Sequence, residues 1–171
     1  ILRNKKTKCA IKYSNLHSMK LKIKYGIIGS GLMGCEHISN INLIDSAEVV
    51  AISDSNENSI NNAKNLISND IKIYSNNNEI FKNNEIDAFI ISTPNFTHYD
   101  IIKEALKTKK HLLIEKPLCT KLEDCLEIKK LTTSYPSVIW VAMEYRYMPP
   151  VQKMIQEIYS DRIGKLKMLS I

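Results

Sequence analysis

Glycine is scarce in this chain, five residues in 171, yet three of the five, Gly29, Gly31 and Gly34, fall within six consecutive positions. Cysteine is scarcer still. Cys9, Cys35, Cys119 and Cys125 form no C-x-x-C pair, which speaks against a disulfide framework or a zinc site and suits a reducing cytosol. No apolar run approaches the roughly 18 residues that a membrane-spanning helix needs, so a soluble protein is expected. Acidic residues are absent from the first 25 positions, which hold eight of the 24 Lys and Arg. The remainder carries 16 basic against 18 acidic residues, a balance of −2, so the overall charge of +6 gives little reason to expect a nucleic-acid partner.

What is present suffices for a core. The apolar fraction is 44%, and 171 residues hold one ordinary domain, or one and part of another. The basic stretch ILRNKKTKCAIKYSNLHS has no apolar signal-peptide core. Residues 1–18 read as a disordered tail or an untranslated leader, with Met19 as the true start; an organellar transit segment is the other reading. The Asn clusters NNNE and KNNE read as solvated loops.

Apolar runs and amphipathic stretches alternate along the chain. Strands are expected over 22–29, 47–54, 71–74, 86–93, 111–115 and 137–143. Helices are expected over 32–44, 57–67, 97–110 and 120–131, the last two opened by capping boxes, Thr97 with Asp100 and Thr120 with Glu123. The runs are mostly Ile and Val, as strands covered on both faces require. The order predicts a doubly wound, mostly parallel α/β sheet of the Rossmann kind over residues 19–145. After Met143 the rhythm changes. Pro149 and Pro150 break the ladder, Val151, Met154, Ile155 and Ile158 mark an amphipathic helix, and KLKMLSI reads as a new strand. A strand without a partner is not a finished domain, so residues 146–171 are expected to begin a truncated α+β substrate domain.

The three glycines form G-x-G-x-x-G between a strand and a helix. The first permits a tight turn, the second lets a pyrophosphate approach the backbone, and the third lets the helix pack on the strand. The free amides of the helix start, with the helix dipole, then favour an anion. Gly29, Ser30, Gly31, Leu32, Met33 and Gly34 are therefore candidates for the phosphates of a dinucleotide. Asp54 lies 20 residues beyond Gly34, where a carboxylate can accept from the adenosine ribose hydroxyls and repel a 2′-phosphate. NAD is thus expected over NADP. Cys35, at the helix N-terminus, carries the expectation of a lowered thiol pKa set against plain packing near the turn. Lys116 stands between a buried strand and Pro117, where an ammonium can reach a nicotinamide; a solvated lysine is the alternative.

Taken together, G-x-G-x-x-G, Asp54, TPNFTH, EKP and YRYMPP resemble, in order and spacing, the Gfo/Idh/MocA family of oxidoreductases, from about Met19 to the end of the chain. The resemblance implies an N-terminal Rossmann domain, then an α/β substrate domain with a large, mostly antiparallel sheet that often mediates oligomers. It implies hydride transfer between nicotinamide and a sugar or cyclitol hydroxyl or carbonyl. Residue by residue, it implies that Thr93, Pro94, Asn95 and His98 line the dinucleotide. Glu115 and Lys116 border the nicotinamide, with Lys116 the catalytic-site lysine, and Arg146 lies near the nicotinamide end. It implies a homo-oligomer for the full-length protein. Many members add an acid and a histidine from the second domain, beyond the last residue here, so this chain is expected to bind dinucleotide without turning over substrate. None of the four histidines fills that role, and packing is the expectation for His37, His98 and His111. A dinucleotide-binding regulatory or scaffold module without redox activity is the alternative function.

Overall fold

The computed structural model describes residues 22–168. The expectations for the tail and for residues 169–171 lie outside them. Six parallel strands form one sheet: β1 (Ile23–Ile28), β2 (Ala47–Ser53), β3 (Lys72–Tyr74), β4 (Ala88–Ile91), β5 (His111–Ile114) and β6 (Ile139–Val141), in the order β3-β2-β1-β4-β5-β6. Six α-helices accompany them: α1 (Leu32–Ile41), α2 (Glu57–Lys64), α3 (Asn77–Ile80), α4 (His98–Leu106), α5 (Leu122–Leu131) and α6 (Pro149–Tyr159).

Period-two alternation along the strands sends neighbouring apolar residues into different layers. Ile27, Ile52 and Ile90 join one core with Ile38 and Ile41 of α1 and Ile60 and Ala63 of α2. Ile28, Ala51 and Ile91 join the other with Ile102 and Ala105 of α4 and Ile128 of α5. Each fully buried Ile or Phe contributes on the order of 1.5–3 kcal/mol by leaving water. The doubly wound sheet expected from the sequence is therefore the observed one.

Element ends differ from expectation because partners, not composition, set them. Helix α1 stops at Ile41, three residues early, where the chain turns and Leu43 and Ile44 face solvent. Strand β4 is shorter than its apolar run, since only Ala88–Ile91 has ladder partners on both sides. Neither capping box forms. Thr97 has helical backbone angles (φ −94°, ψ −11°) and closes a 3-10 turn, Asn95–Thr97; its hydroxyl donates to the Pro94 carbonyl at 2.7 Å. Helix α5 starts at Leu122 with Lys121 as its N-cap, leaving Thr120 one residue too early. The segment YRYMPP enters a second 3-10 turn, Glu144–Tyr147, before α6, whose apolar face is at most half-buried. Residues 165–168 form no strand.

The Asn clusters are also corrected. NNNE supplies the short helix α3, with the Asn76 side chain accepting the Asn78 amide at 2.8 Å. In KNNE, Asn83 is buried.

The chain turns from β1 into α1 at the glycines. Gly29 has φ +89°, and a Cβ there would lie 2.7 Å from the Thr93 nitrogen. A Cβ on Gly34 would lie 2.1 Å from the Gly29 carbonyl oxygen. Nothing lies within 4 Å of a Cβ placed on Gly31. Gly29 and Gly34 are thus demanded by the fold itself. Gly34→Ala should lower the unfolding free energy by about 1–3 kcal/mol, the usual cost of overpacking a rigid contact. An unchanged urea midpoint would show that α1 does not dock on the turn this closely.

Candidate functional site

Strand order reverses direction between β1 and β4, and a cleft of about 990 Å³ opens at the carboxyl ends of the strands there. The ends of β1, β2, β3 and β4 each contribute to the wall. The glycine turn gives Gly29, Gly31, Leu32 and Met33; the residues after β2 give Asp54, Ser55 and Asn56. Ser75 to Asn78 follow β3, and Ser92, Thr93, Pro94, Phe96 and Thr97 follow β4. Asp100, Ile101 and Glu104 complete it from α4.

The glycine turn is built to meet an anion. Gly31 is the N-cap of α1 with no side-chain cap, and the first turn carries no acid, so the amides there are left for a ligand. The turn is fixed from both sides. The Gly29 amide donates to the Ser53 carbonyl at 2.8 Å, and the Ser92 hydroxyl donates to the Gly29 carbonyl at 2.7 Å. Ser30 is fully buried, and its amide donates to Asp54 Oδ2 at 2.7 Å, with its hydroxyl 3.1 Å from the same oxygen. The Asn56 amide donates to Asp54 Oδ1 at 2.9 Å. Both carboxylate oxygens are therefore oriented: Oδ2 is taken up by Ser30, and Oδ1, with one partner, has lone-pair capacity left for a hydroxyl donor.

The predicted site residues divide into four groups. Gly29, Gly31, Leu32, Met33, Asp54, Thr93 and Pro94 meet in the cleft wall. Ser30 and Gly34 lie beneath it, holding its shape. Asn95, Lys116 and Arg146 are exposed outside the lining, on the turns after β4, β5 and β6.

Glu115 and His98 are buried away from it. His98 is a correction: its ring is fully buried and has no surface to offer a ligand. Its Nδ1 lies 2.8 Å from the Pro117 carbonyl oxygen and its Nε2 lies 3.0 Å from that of Thr93, so it joins the loops after β4 and β5. Glu115 is 6% exposed, and the Lys116–Pro117 bond after it is cis.

Of the two readings of Cys35, packing near the turn is the one observed, and the lowered pKa is corrected. Burial, and then the Asp54 charge, push its thiol pKa above the ordinary value, against the helix N-terminus, and the Sγ donates to the Ser30 carbonyl at 3.4 Å. At Cys119, burial and then the neighbouring Cys125 thiol push the pKa up to about 12. Both thiols stay protonated near neutral pH and are poor nucleophiles.

Sequence reasoning missed two features. Asn77 accepts the Ser53 hydroxyl at 2.7 Å and sits in the cleft wall, which nothing in NNNE signals. His37 was expected to pack locally, but its Nε2 lies 2.8 Å from Glu115 Oε1. A signal existed: Gly34, His37, Ile38 and Ile41 fall at i, i+3, i+4 and i+7, the face α1 turns to the sheet.

A model of the oxidoreductase family with an NAD-binding Rossmann fold, Gfo/Idh/MocA, matches residues 23–143. The 2,7-anhydro-N-acetylneuraminate hydratase of Escherichia coli is 32% identical over 108 residues, 63% of this chain and 28% of its own. The inositol 2-dehydrogenase/D-chiro-inositol 3-dehydrogenase of Lacticaseibacillus casei is 32% identical over 145 residues, 83% of this chain and 42% of its own. Among solved structures, myo-inositol dehydrogenase from Lactobacillus casei in complex with NAD(H) and myo-inositol superposes with a TM-score of 0.78 at 30% identity, covering 84% of this chain and 43% of that one. The chain spans less than half the length of these relatives.

Proposed function

This chain belongs to the Gfo/Idh/MocA oxidoreductases, and we propose that it is the dinucleotide-binding part of an NAD-dependent dehydrogenase acting on a sugar or cyclitol. The observation that carries the reading is Gly31. The fold has no need of a glycine there, since the space beside it is open, but a phosphate approaching the amides of α1 does.

The residues present fit the cofactor. Unpaired amides face the open space at Gly31, and an oriented carboxylate, Asp54, stands on the same wall. Among the described residues no Lys or Arg lines the cleft to receive a 2′-phosphate, which favours NAD over NADP. When bound, the nicotinamide supplies or accepts the hydride. The chain's own residues do the rest. The glycine turn holds the pyrophosphate by backbone donors, and Asp54 accepts from the ribose. Thr93 and Pro94 border the cleft beyond the switch between β1 and β4, with Asn95 beside them on the following turn. Glu115 supports Lys116 from beneath. As the neutral amine, Lys116 takes up the substrate hydroxyl proton at Nζ in the oxidising direction, and as the ammonium so formed it returns the proton in the other. Arg146 stands at the exit toward the nicotinamide end.

The names of the relatives, inositol dehydrogenases among them, support the substrate class. No helix among the described residues is long and apolar enough to cross a membrane. With Cys35, Cys119 and Cys125 as free thiols, a cytoplasmic setting is the one we propose, with the whole protein a homo-oligomer.

Three substitutions test this. Gly31→Val should leave the fold intact by circular dichroism, with at most the modest loss expected of Val at an N-cap, and weaken NADH binding at least tenfold, about 1.4 kcal/mol; unaltered affinity by titration would remove the cofactor assignment. Asp54→Ala should narrow the preference for NADH over NADPH, because the acceptor and the repelling charge go together. An identical ratio in paired titrations would place Asp54 away from the ribose. Lys116→Met, in a version that carries the rest of the relatives' length, should cut kcat by about 10²–10⁴-fold while leaving the NADH Kd within about twofold. A kcat equal to the parent's would show that Lys116 carries no proton.

A further inference from the structure

We propose that His37 and His98 are positioning residues that clamp Lys116 from the two faces of the sheet, so that its amino group is presented without being bound. This rests on the reading of Lys116 given above. The clamp acts on the residues either side of the lysine. Before it, Glu115 continues the sheet, its amide donating to the Ile91 carbonyl at 2.9 Å, and then turns its carboxylate inward. Oε1 meets His37 Nε2 at 2.8 Å, and Oε2 accepts the Lys116 amide at 3.2 Å. After it, the Pro117 carbonyl lies 2.8 Å from His98 Nδ1.

His37 comes from α1, which packs on one core layer, and His98 begins α4, which packs on the other. The two helices share no layer, but both reach the top of β5. Lys116 itself is exposed, and among the described residues its Nζ has neither an ion pair nor a hydrogen bond. The backbone is held and the side chain is left free, which is the division a proton-transferring group needs.

The His37 contact has a direct physical necessity. A carboxylate this buried must be paired or hydrogen-bonded, and its partners here are one imidazole and one backbone amide. Without the imidazole, the carboxylate seeks water by rotating outward, and it takes the Lys116 amide contact with it. Helix α1 also has Gly31 as its N-cap, so the same rigid element sets both the amides proposed to face the phosphate and the height of the lysine loop.

The test uses amide hydrogen exchange on the 171-residue chain, with His37→Leu and His37→Gln. Gln keeps a donor near the position of Nε2; Leu removes it. The Lys116 amide should exchange at least tenfold faster in His37→Leu and return to within about threefold of the parent in His37→Gln. The amides of Ile27 and Ile90, in the centre of the sheet, should keep their protection in both. Unchanged Lys116 exchange in a folded His37→Leu, or a loss of protection spread over β1 and β4 that Gln does not restore, would overturn the clamp. If His37→Leu does not fold, Glu115→Gln, which keeps the shape and removes the charge, is judged by the same amide. NADH titration of the same samples tests the cofactor reading separately, since loop-confined exchange supports the clamp whatever the affinity.

Discussion

Helix α1 can begin where it does because Gly34 has no side chain. A Cβ would sit 2.1 Å from the Gly29 oxygen, so contact between the helix and the strand that feeds it is possible only at a hydrogen atom's width. From that contact follow the direction of the α1 axis, the exposure of its first amides, and the depth of the cleft above β1. It also sets how far His37, one turn along the helix from Gly34, reaches toward β5. The positive φ of Gly29 and the bonds from Ser53 and Ser92 hold the other side of the same joint. Gly31, between them, is under no such demand.

The fold was legible wherever one residue type answered to one environment. Ile and Val runs covered on both faces announced the strands, and a turn of glycines between strand and helix announced the cleft. Strand order and crossover followed from general rules of parallel sheets. What was not legible depends on partners distant in sequence. Thr97 has the spelling of a helix cap, but Pro94 offers its hydroxyl a carbonyl three residues back, and the local turn wins. Asn77 reads as loop because its acceptor role exists only when Ser53 arrives beside it.

The site shows the same division. Asp54 was found by spacing, because the length of a strand–helix–strand unit is nearly fixed. His37 and Glu115 are 78 positions apart and meet only through the sheet. His98 was placed in the dinucleotide lining by its motif, whereas its buried ring joins the Thr93 and Pro117 carbonyls. The motif picked out a residue that matters and misread its role, because a motif marks a position without saying which neighbour it serves. Cys35 teaches a similar lesson in electrostatics. The helix N-terminus favours a thiolate, but burial and the Asp54 carboxylate act in the opposite sense and prevail.

The charge of the cleft has a consequence for binding. Asp54, Asp100 and Glu104 line it, and among the described residues no Lys or Arg does. An anionic ligand therefore approaches a wall whose formal charge repels it and whose attraction comes from backbone dipoles, which fade within the first turn of the helix. The lining side chains add no attraction of their own for an anion, and what attraction there is must come from the glycine turn at short range. At this wall an anion is held by the direction of backbone amides rather than by side-chain charge, so its grip depends on where the phosphate sits and little on how much charge it carries.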